Sequence, residues 1–136
     1  GKRTAPSAVN WQEIDIYVSM KNGVYLYNAS EHRLDPVLDE DIRAATGTQA
    51  FCAVAPVNLI FVADFNKITR ADRDQKIFYS AADTGFISQN VYLYCASEGL
   101  ATVVRGMVDK EALAEKMKLE PHQKVILAQT VGYPEK

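Results

Sequence analysis

The chain has 136 residues, 48% of them hydrophobic and 24% charged, so it is long enough to bury one core and too apolar for a disordered or low-complexity segment. Fifteen Lys and Arg against seventeen Asp and Glu give a formal charge of -2, which argues against a general nucleic-acid binder, and no apolar run reaches the roughly 18 residues of a membrane span. Cys52 and Cys95 are too few for a disulfide scaffold, and the stretch Gly1 to Pro6 has no apolar signal core, so the expectation is one cytoplasmic domain over residues 1–136.

Glu13 to Met20 alternates with period two, placing Ile14, Ile16 and Val18 on one face of a strand. Lys21-Asn22-Gly23 is a turn, and Val24 to Tyr27 is the second strand of a hairpin. His32 to Val37 reads as a third strand, placed at a sheet edge by Pro36, which has no amide to donate. Asp39 to Thr46 reads as a short helix, with Asp39 as its cap and Gly47 as its terminator. Val57 to Phe65 is dense in β-branched and apolar residues, the pattern of a strand buried between helices.

Asp72 to Glu98 is the longest helical stretch, ended by Gly99. Phe78, Phe86 and Leu93 stand among apolar residues on nearly every side of it, which predicts a central, enclosed helix. Leu93 is then a core residue whose truncation to Ala costs about 2–5 kcal/mol. Leu100 to Val104 is a short strand, Asp109 caps a helix running to about Met117, and Val125 to Val131 is the last strand. This order indicates an α+β or α/β sandwich.

The familiar catalytic signatures are absent: no CxxC, HExxH, GxSxG, P-loop or GxGxxG occurs, and the two histidines, His32 and His122, lack ligand companions. Two segments invite a functional reading. Lys2 to Gln12 gathers cations, a hydroxyl, an amide and Pro6 ahead of a strand, where Pro6-Ser7-Ala8 can open a turn with free amides. An ordinary disordered terminus is the bland alternative. Glu98 to Asp109 ends a helix, runs a short strand and breaks it at Arg105-Gly106, where a glycine lets backbone approach a ligand closely. A plain helix–strand–helix connection accounts for it equally well.

In this order the two segments resemble the FMN-dependent nitroreductase family, and within it the dehydrogenase branch that includes the flavin oxidases of thiazole and oxazole biosynthesis. Arg3-Thr4-Ala5-Pro6-Ser7-Ala8-Val9-Asn10 precedes the strand Glu13 to Val18, then the hairpin Gly23 to Tyr27 with His32-Arg33-Leu34, then Ala55-Pro56-Val57. Asp83-Thr84-Gly85-Phe86-Ile87-Ser88-Gln89-Asn90-Val91-Tyr92-Leu93 is similar to the family's DxGxxxQNxYL helix. Gly99-Leu100 and Gly106 resemble its next loop, and Val131-Gly132-Tyr133-Pro134 its terminal strand.

The resemblance implies an α+β, nitroreductase-like three-layer α/β sandwich, with a mixed, mainly antiparallel sheet around a central buried helix. It implies a homodimer holding FMN at the subunit interface, with no nucleic-acid or membrane partner. Arg3, Pro6, Ser7, Ala8 and Asn10 would contact the flavin from one subunit. Val104, Arg105, Gly106 and Met107 would face the ring from the other, with a backbone amide near N5. Gln49 falls where the family often has a polar contact to the ring edge or ribityl chain. The implied chemistry is ping-pong hydride transfer from NAD(P)H through flavin N5 to a nitro, quinone or related small acceptor, with no side-chain acid or base required.

The family begins earlier, with a helical segment whose Arg-Arg-Ser-x-Arg-type motif holds the FMN phosphate, so the expectation is an N-terminally truncated domain. Lys2, Arg3 and Lys136 are the terminal cations available as substitutes. Met107 stands where the family often has Gly or Glu. A non-catalytic binding or assembly subunit is the alternative reading. A third is a domain for another small anion or aromatic ligand, using Arg105 and the terminal amides.

Overall fold

A computed structural model describes residues 2–135. Lys136, expected among the phosphate-binding cations, lies outside the described residues. Six strands form one sheet: β1 (Ile14–Met20), β2 (Gly23–Asn28), β3 (Arg33–Leu38), β4 (Val57–Asp64), β5 (Ala101–Arg105) and β6 (Gln123–Gly132), in the order β3-β2-β1-β4-β6-β5. Every strand pairing among the described residues is antiparallel, which narrows the expected mixed sheet to an antiparallel one.

The β1–β2 hairpin closes where Gly23 takes φ 148°, and a Cβ there would lie 2.5 Å from the Leu38 carbonyl oxygen, so only glycine lets β3 come this close. β3 is the edge strand that Pro36 implied. β4 sits between β1 and β6, and its Ile60, Phe61, Val62 and Ala63 are wholly buried.

Both faces of the sheet are covered. On one, Ile60, Val62 and Val125 pack with Ile42 and with Leu113 and Met117 at the inner side of α2 (Lys110–Lys116). On the other, Ile14, Phe61 and Ala63 meet Ile87 of α1 (Arg73–Glu98). α2 begins where the Asp109 carboxylate accepts the Ala112 N–H at 3.1 Å. α1 opens with a reciprocal capping box between Asp72 and Gln75 and ends at Gly99, which takes φ 68°.

Two expectations need correction. Asp39 to Thr46 is not a capped helix; only a 3₁₀ turn, Arg43–Thr46, forms, and Gly47 is extended rather than left-handed. Asp41 is the cause: its carboxylate accepts the Arg43 N–H at 3.1 Å and the guanidinium at 2.9 Å, giving the backbone a local turn in place of a helical one. Nor is α1 enclosed within the chain. Its buried residues are Ser80, Asp83, Thr84, Ser88 and Cys95, while Phe78 is 64% exposed and Leu93 59%. Small side chains let the helix settle close to the sheet, and the bulky ones are left facing outward. The helix is one outer layer of a three-layer sandwich.

Candidate functional site

The segment before β1 runs along α1 and is fastened to it at three levels. Asn90 Nδ2 donates to Thr4 Oγ1 at 3.2 Å, the Ala8 N–H donates to both carboxylate oxygens of Asp83 at 3.2 Å, and Trp11 meets Tyr79 edge to face with centroids 6.0 Å apart. Residues 79, 83 and 90 lie on one side of the helix, so a single stripe of α1 holds the whole segment.

Between these fastenings the backbone is strained. Val9, Asn10 and Gln12 take φ of 50°, 54° and 50°, a left-handed region that costs an L-residue roughly 1–2 kcal/mol and is worst for a β-branched valine. The turn is closed internally: Asn10 N–H donates to the Ser7 carbonyl, and Ser7 Oγ accepts the Gln12 N–H, both at 3.0 Å.

Under the segment lies a cavity of about 590 Å³, within the roughly 300–1,000 Å³ range of small-molecule sites. Its walls are apolar, with Ile14, Leu59, Ile87 and Val131 among them, and Lys2 and Arg3 are exposed at its edge. Pro6 and Ser7 line a much smaller cavity of about 30 Å³ that also touches Glu13 and Asp83.

The second candidate segment lies at the end of β5. The Arg105 guanidinium is 4% exposed and points into the protein. It donates to Thr130 Oγ1 at 3.0 Å, to Asn58 Oδ1 at 3.1 Å and to the Thr46 carbonyl. Thr130 in turn donates to Asn58 Oδ1 at 2.7 Å, and Asn58 Nδ2 donates to the Cys52 carbonyl at 2.8 Å. Burial lowers the pKa of Arg105, opposed by the adjacent Cys52. Gly47 makes this approach possible, because a Cβ there would collide with the guanidinium and sit 2.7 Å from Cys52 Sγ.

Arg105 therefore does not reach outward; it anchors the strand end beyond which Gly106 and Met107 are exposed. The Tyr92 hydroxyl accepts the Val104 N–H at 2.8 Å, and the Thr48 N–H donates to the Met107 carbonyl at 3.3 Å, so the loop is held from α1 on one side and from the 3₁₀ region on the other.

Of the residues singled out in the sequence, Arg3, Pro6, Ser7 and Ala8 come together along α1, with Asn10 exposed at the top of their turn. Gln49 is exposed at the start of a separate 3₁₀ turn, Ala50–Ala53. The cavities beside the N-terminal segment are lined by none of Gln49, Val104, Arg105, Gly106 and Met107. Sequence reasoning missed the roles of Glu13 and Asp83, both buried, and of the Asn58–Thr130 pair beneath Arg105. The signal for Asp83 was an acid in a helical stretch otherwise rich in small and apolar residues. Nothing in the sequence signalled its pairing with Glu13.

The Nitroreductase family model matches residues 2–133. A protein of Methanocaldococcus jannaschii described as a candidate nitroreductase, MJ1384, is 31% identical over 93% of this chain and 69% of its own length. The crystal structure of a candidate nitroreductase from Ralstonia eutropha superposes with a TM-score of 0.92 at 40% identity, over 98% of this chain and 64% of that one. The Escherichia coli microcin synthetase McbBCD complex contains the same fold, with a TM-score of 0.87 at 19% identity over 99% of this chain and 57% of its own. The chain thus spans 64% and 57% of the length of these two solved structures. Matched from Lys2 to Tyr133 and sharing the fold of these proteins, the chain belongs to the nitroreductase family.

Proposed function

We propose that two copies of this chain hold FMN between them and act as an oxidoreductase, taking hydride from NAD(P)H and passing electrons in a second half-reaction to a nitro, quinone or related small acceptor. The observation that carries the reading is the loop after β5. Gly106 is exposed, and a Cβ there would meet nothing closer than Leu127 Cδ2 at 3.7 Å. No contact among the described residues requires a glycine, whereas close approach of a flat ring to bare backbone does.

The chain's residues fit the cofactor in three further respects. The Arg105 network holds the loop rigid without occupying its outer surface. The Ser7–Asn10 turn sets an exposed amide side chain beside a strained backbone. Lys2 and Arg3 supply positive charge for a phosphate at the end of that segment. Bound there, FMN would supply hydride acceptance at N5, and the protein would contribute position and hydrogen bonds.

The homodimer is part of the proposal. The outer face of α1 carries Phe78, Phe86 and Leu93, exposed large apolar side chains of the kind a partner surface covers. Gly85 lies on the same face with no atom within 4 Å of the Cβ it lacks, as suits a helix approached closely by another body. No helix among the described residues is long and apolar enough to cross a membrane, and a cytoplasmic setting belongs to the proposal because NAD(P)H is the donor.

The test is direct. The purified chain is expected to show flavin absorbance or to take it up on titration with FMN, and then to consume NADH or NADPH when given a nitroaromatic or quinone. No uptake at tens of micromolar FMN would return the chain to the reading of a non-catalytic assembly subunit.

A further inference from the structure

Glu13 is wholly buried, and neither of its carboxyl oxygens accepts a hydrogen bond from the protein. Asp83, 2% exposed, faces Glu13 across the same cavity of about 30 Å³. Two ionised carboxylates in that position would repel one another out of water, whereas a single proton between them turns repulsion into a hydrogen bond. The chemistry also says which one keeps the proton. Asp83 accepts the Ala8 N–H on both of its oxygens, whereas for Glu13 the pull of its own backbone amide is outweighed by burial and by Asp83.

The other charged groups nearby do not replace that proton. Lys67, on the turn after β4, lowers the Glu13 pKa only as the weakest of the contributions, and its ammonium is paired with Asp15 at 3.0 Å. Arg3, from the N-terminal segment, lines the same 30 Å³ cavity but is exposed. Burial and the neighbouring Asp83 together push the Glu13 carboxyl up to about 7.

We propose that Glu13 and Asp83 share one proton, and that this proton latches the strained Ser7–Gln12 turn onto α1, so that the turn loosens when the pair becomes doubly charged. The strain supplies the tendency to open, since three left-handed non-glycine residues lie just beyond the Ala8–Asp83 contact. On losing its proton Glu13 becomes a second buried anion beside Asp83, and hydrating the two charges requires moving the turn that covers them. The proton leaves to solvent and no bond between heavy atoms changes. The inference concerns the chain's own segment and stands without flavin. If FMN binds as proposed, its affinity falls above pH 7 in the wild type and not in Glu13→Gln.

Trp11 is the only tryptophan in the chain, and it sits in the turn against Tyr79. Its fluorescence, followed from pH 5 to 9 in the flavin-free chain, is expected to show a transition near pH 7. Glu13→Gln, which mimics the protonated acid, should remove that transition and keep the low-pH spectrum. Asp83→Asn should move it down, because the repelling charge is gone, but not to the ordinary carboxyl value, since burial is the larger cause. A His32→Asn, His122→Asn double variant, which has no imidazole left, must retain the transition. A flat wild-type curve, or a transition that survives in Glu13→Gln, overturns the proposal. Should Glu13→Gln fail to fold, carboxyl-carbon NMR of glutamate-labelled wild type decides: one resonance must titrate between pH 6 and 8, and all of them titrating below pH 5.5 overturns it.

Discussion

The two backbone segments proposed to hold the cofactor are both held from behind by a buried charge, but the charges differ in kind. The loop after β5 rests on the Arg105 guanidinium, which is surrounded by the Thr46 carbonyl, the Thr130 hydroxyl and the Asn58 amide oxygen. The turn before β1 rests on Asp83, whose neighbour is another acid. A guanidinium keeps its charge at every pH a protein tolerates and finds neutral acceptors for its several donors. A carboxyl pair can be neutralised only by a proton. One support is therefore constant, and the other depends on pH.

The comparison breaks most visibly at Arg105. Arg105→Met takes the guanidinium donors from the Thr46 carbonyl and the Thr130 hydroxyl and leaves Asn58 Oδ1 with the Thr130 hydroxyl alone, and a loss of about 3–5 kcal/mol in unfolding free energy is expected by denaturant titration. That loss should be the same at pH 6 and pH 8. A pH-dependent loss would mean that a titrating group, rather than the neutral acceptors, balances the guanidinium.

Glu13 should behave oppositely. Its folded pKa of about 7 lies above the unfolded value of 4.5, so between these pH values the native state holds the extra proton. Stability is full below about pH 4.5, falls as pH rises through 7 and then levels, by an amount on the order of 3 kcal/mol from this group alone. Glu13→Gln removes that slope. Relative to wild type the variant should gain stability at pH 8 and change little at pH 5, measured by urea unfolding at both.

Gly106→Val sharpens the other half. The site within the chain is open to a side chain, so the melting temperature should move little. FMN affinity should fall at least tenfold, about 1.4 kcal/mol, if a ring packs on that backbone. A variant that binds as well as wild type removes the loop from the site.

What could be read in the sequence was whatever depends on near neighbours. Period-two alternation gave β1, the Asn22-Gly23 turn gave the hairpin to β2, Pro36 put β3 at the edge, and the helical stretch Asp72 to Glu98 ended by Gly99 bounded α1 to within a residue. What could not be read depends on which distant side chains meet. Glu13 and Asp83 belong to different elements and pair only once β1 packs against α1. Arg105 looked like a ligand contact because of the glycine after it, whereas its side chain turns inward to β4, β6 and the Arg43–Thr46 turn. Asp39 reads as a helix cap, whereas the Asp41 carboxylate holds Arg43 in a local turn instead.

α1 carries the smallest and most discriminating test. Apolar residues around its whole circumference suggested enclosure, yet the chain covers only the side bearing Ser80, Thr84 and Ser88. A helix-interior glycine costs about 0.5–1 kcal/mol relative to alanine, and nothing within the chain crowds Gly85. Gly85→Ala should therefore stabilise the separated chain by that amount, while a methyl group on the shared face weakens association of two copies. Leu93→Ala, at 59% exposure, should cost the separated chain well under the 2–5 kcal/mol of a core deletion and should likewise weaken association. Sedimentation equilibrium alongside denaturant unfolding separates these effects. If both variants associate as tightly as wild type, the partner is not on this face, and its exposed phenylalanines require a different cover.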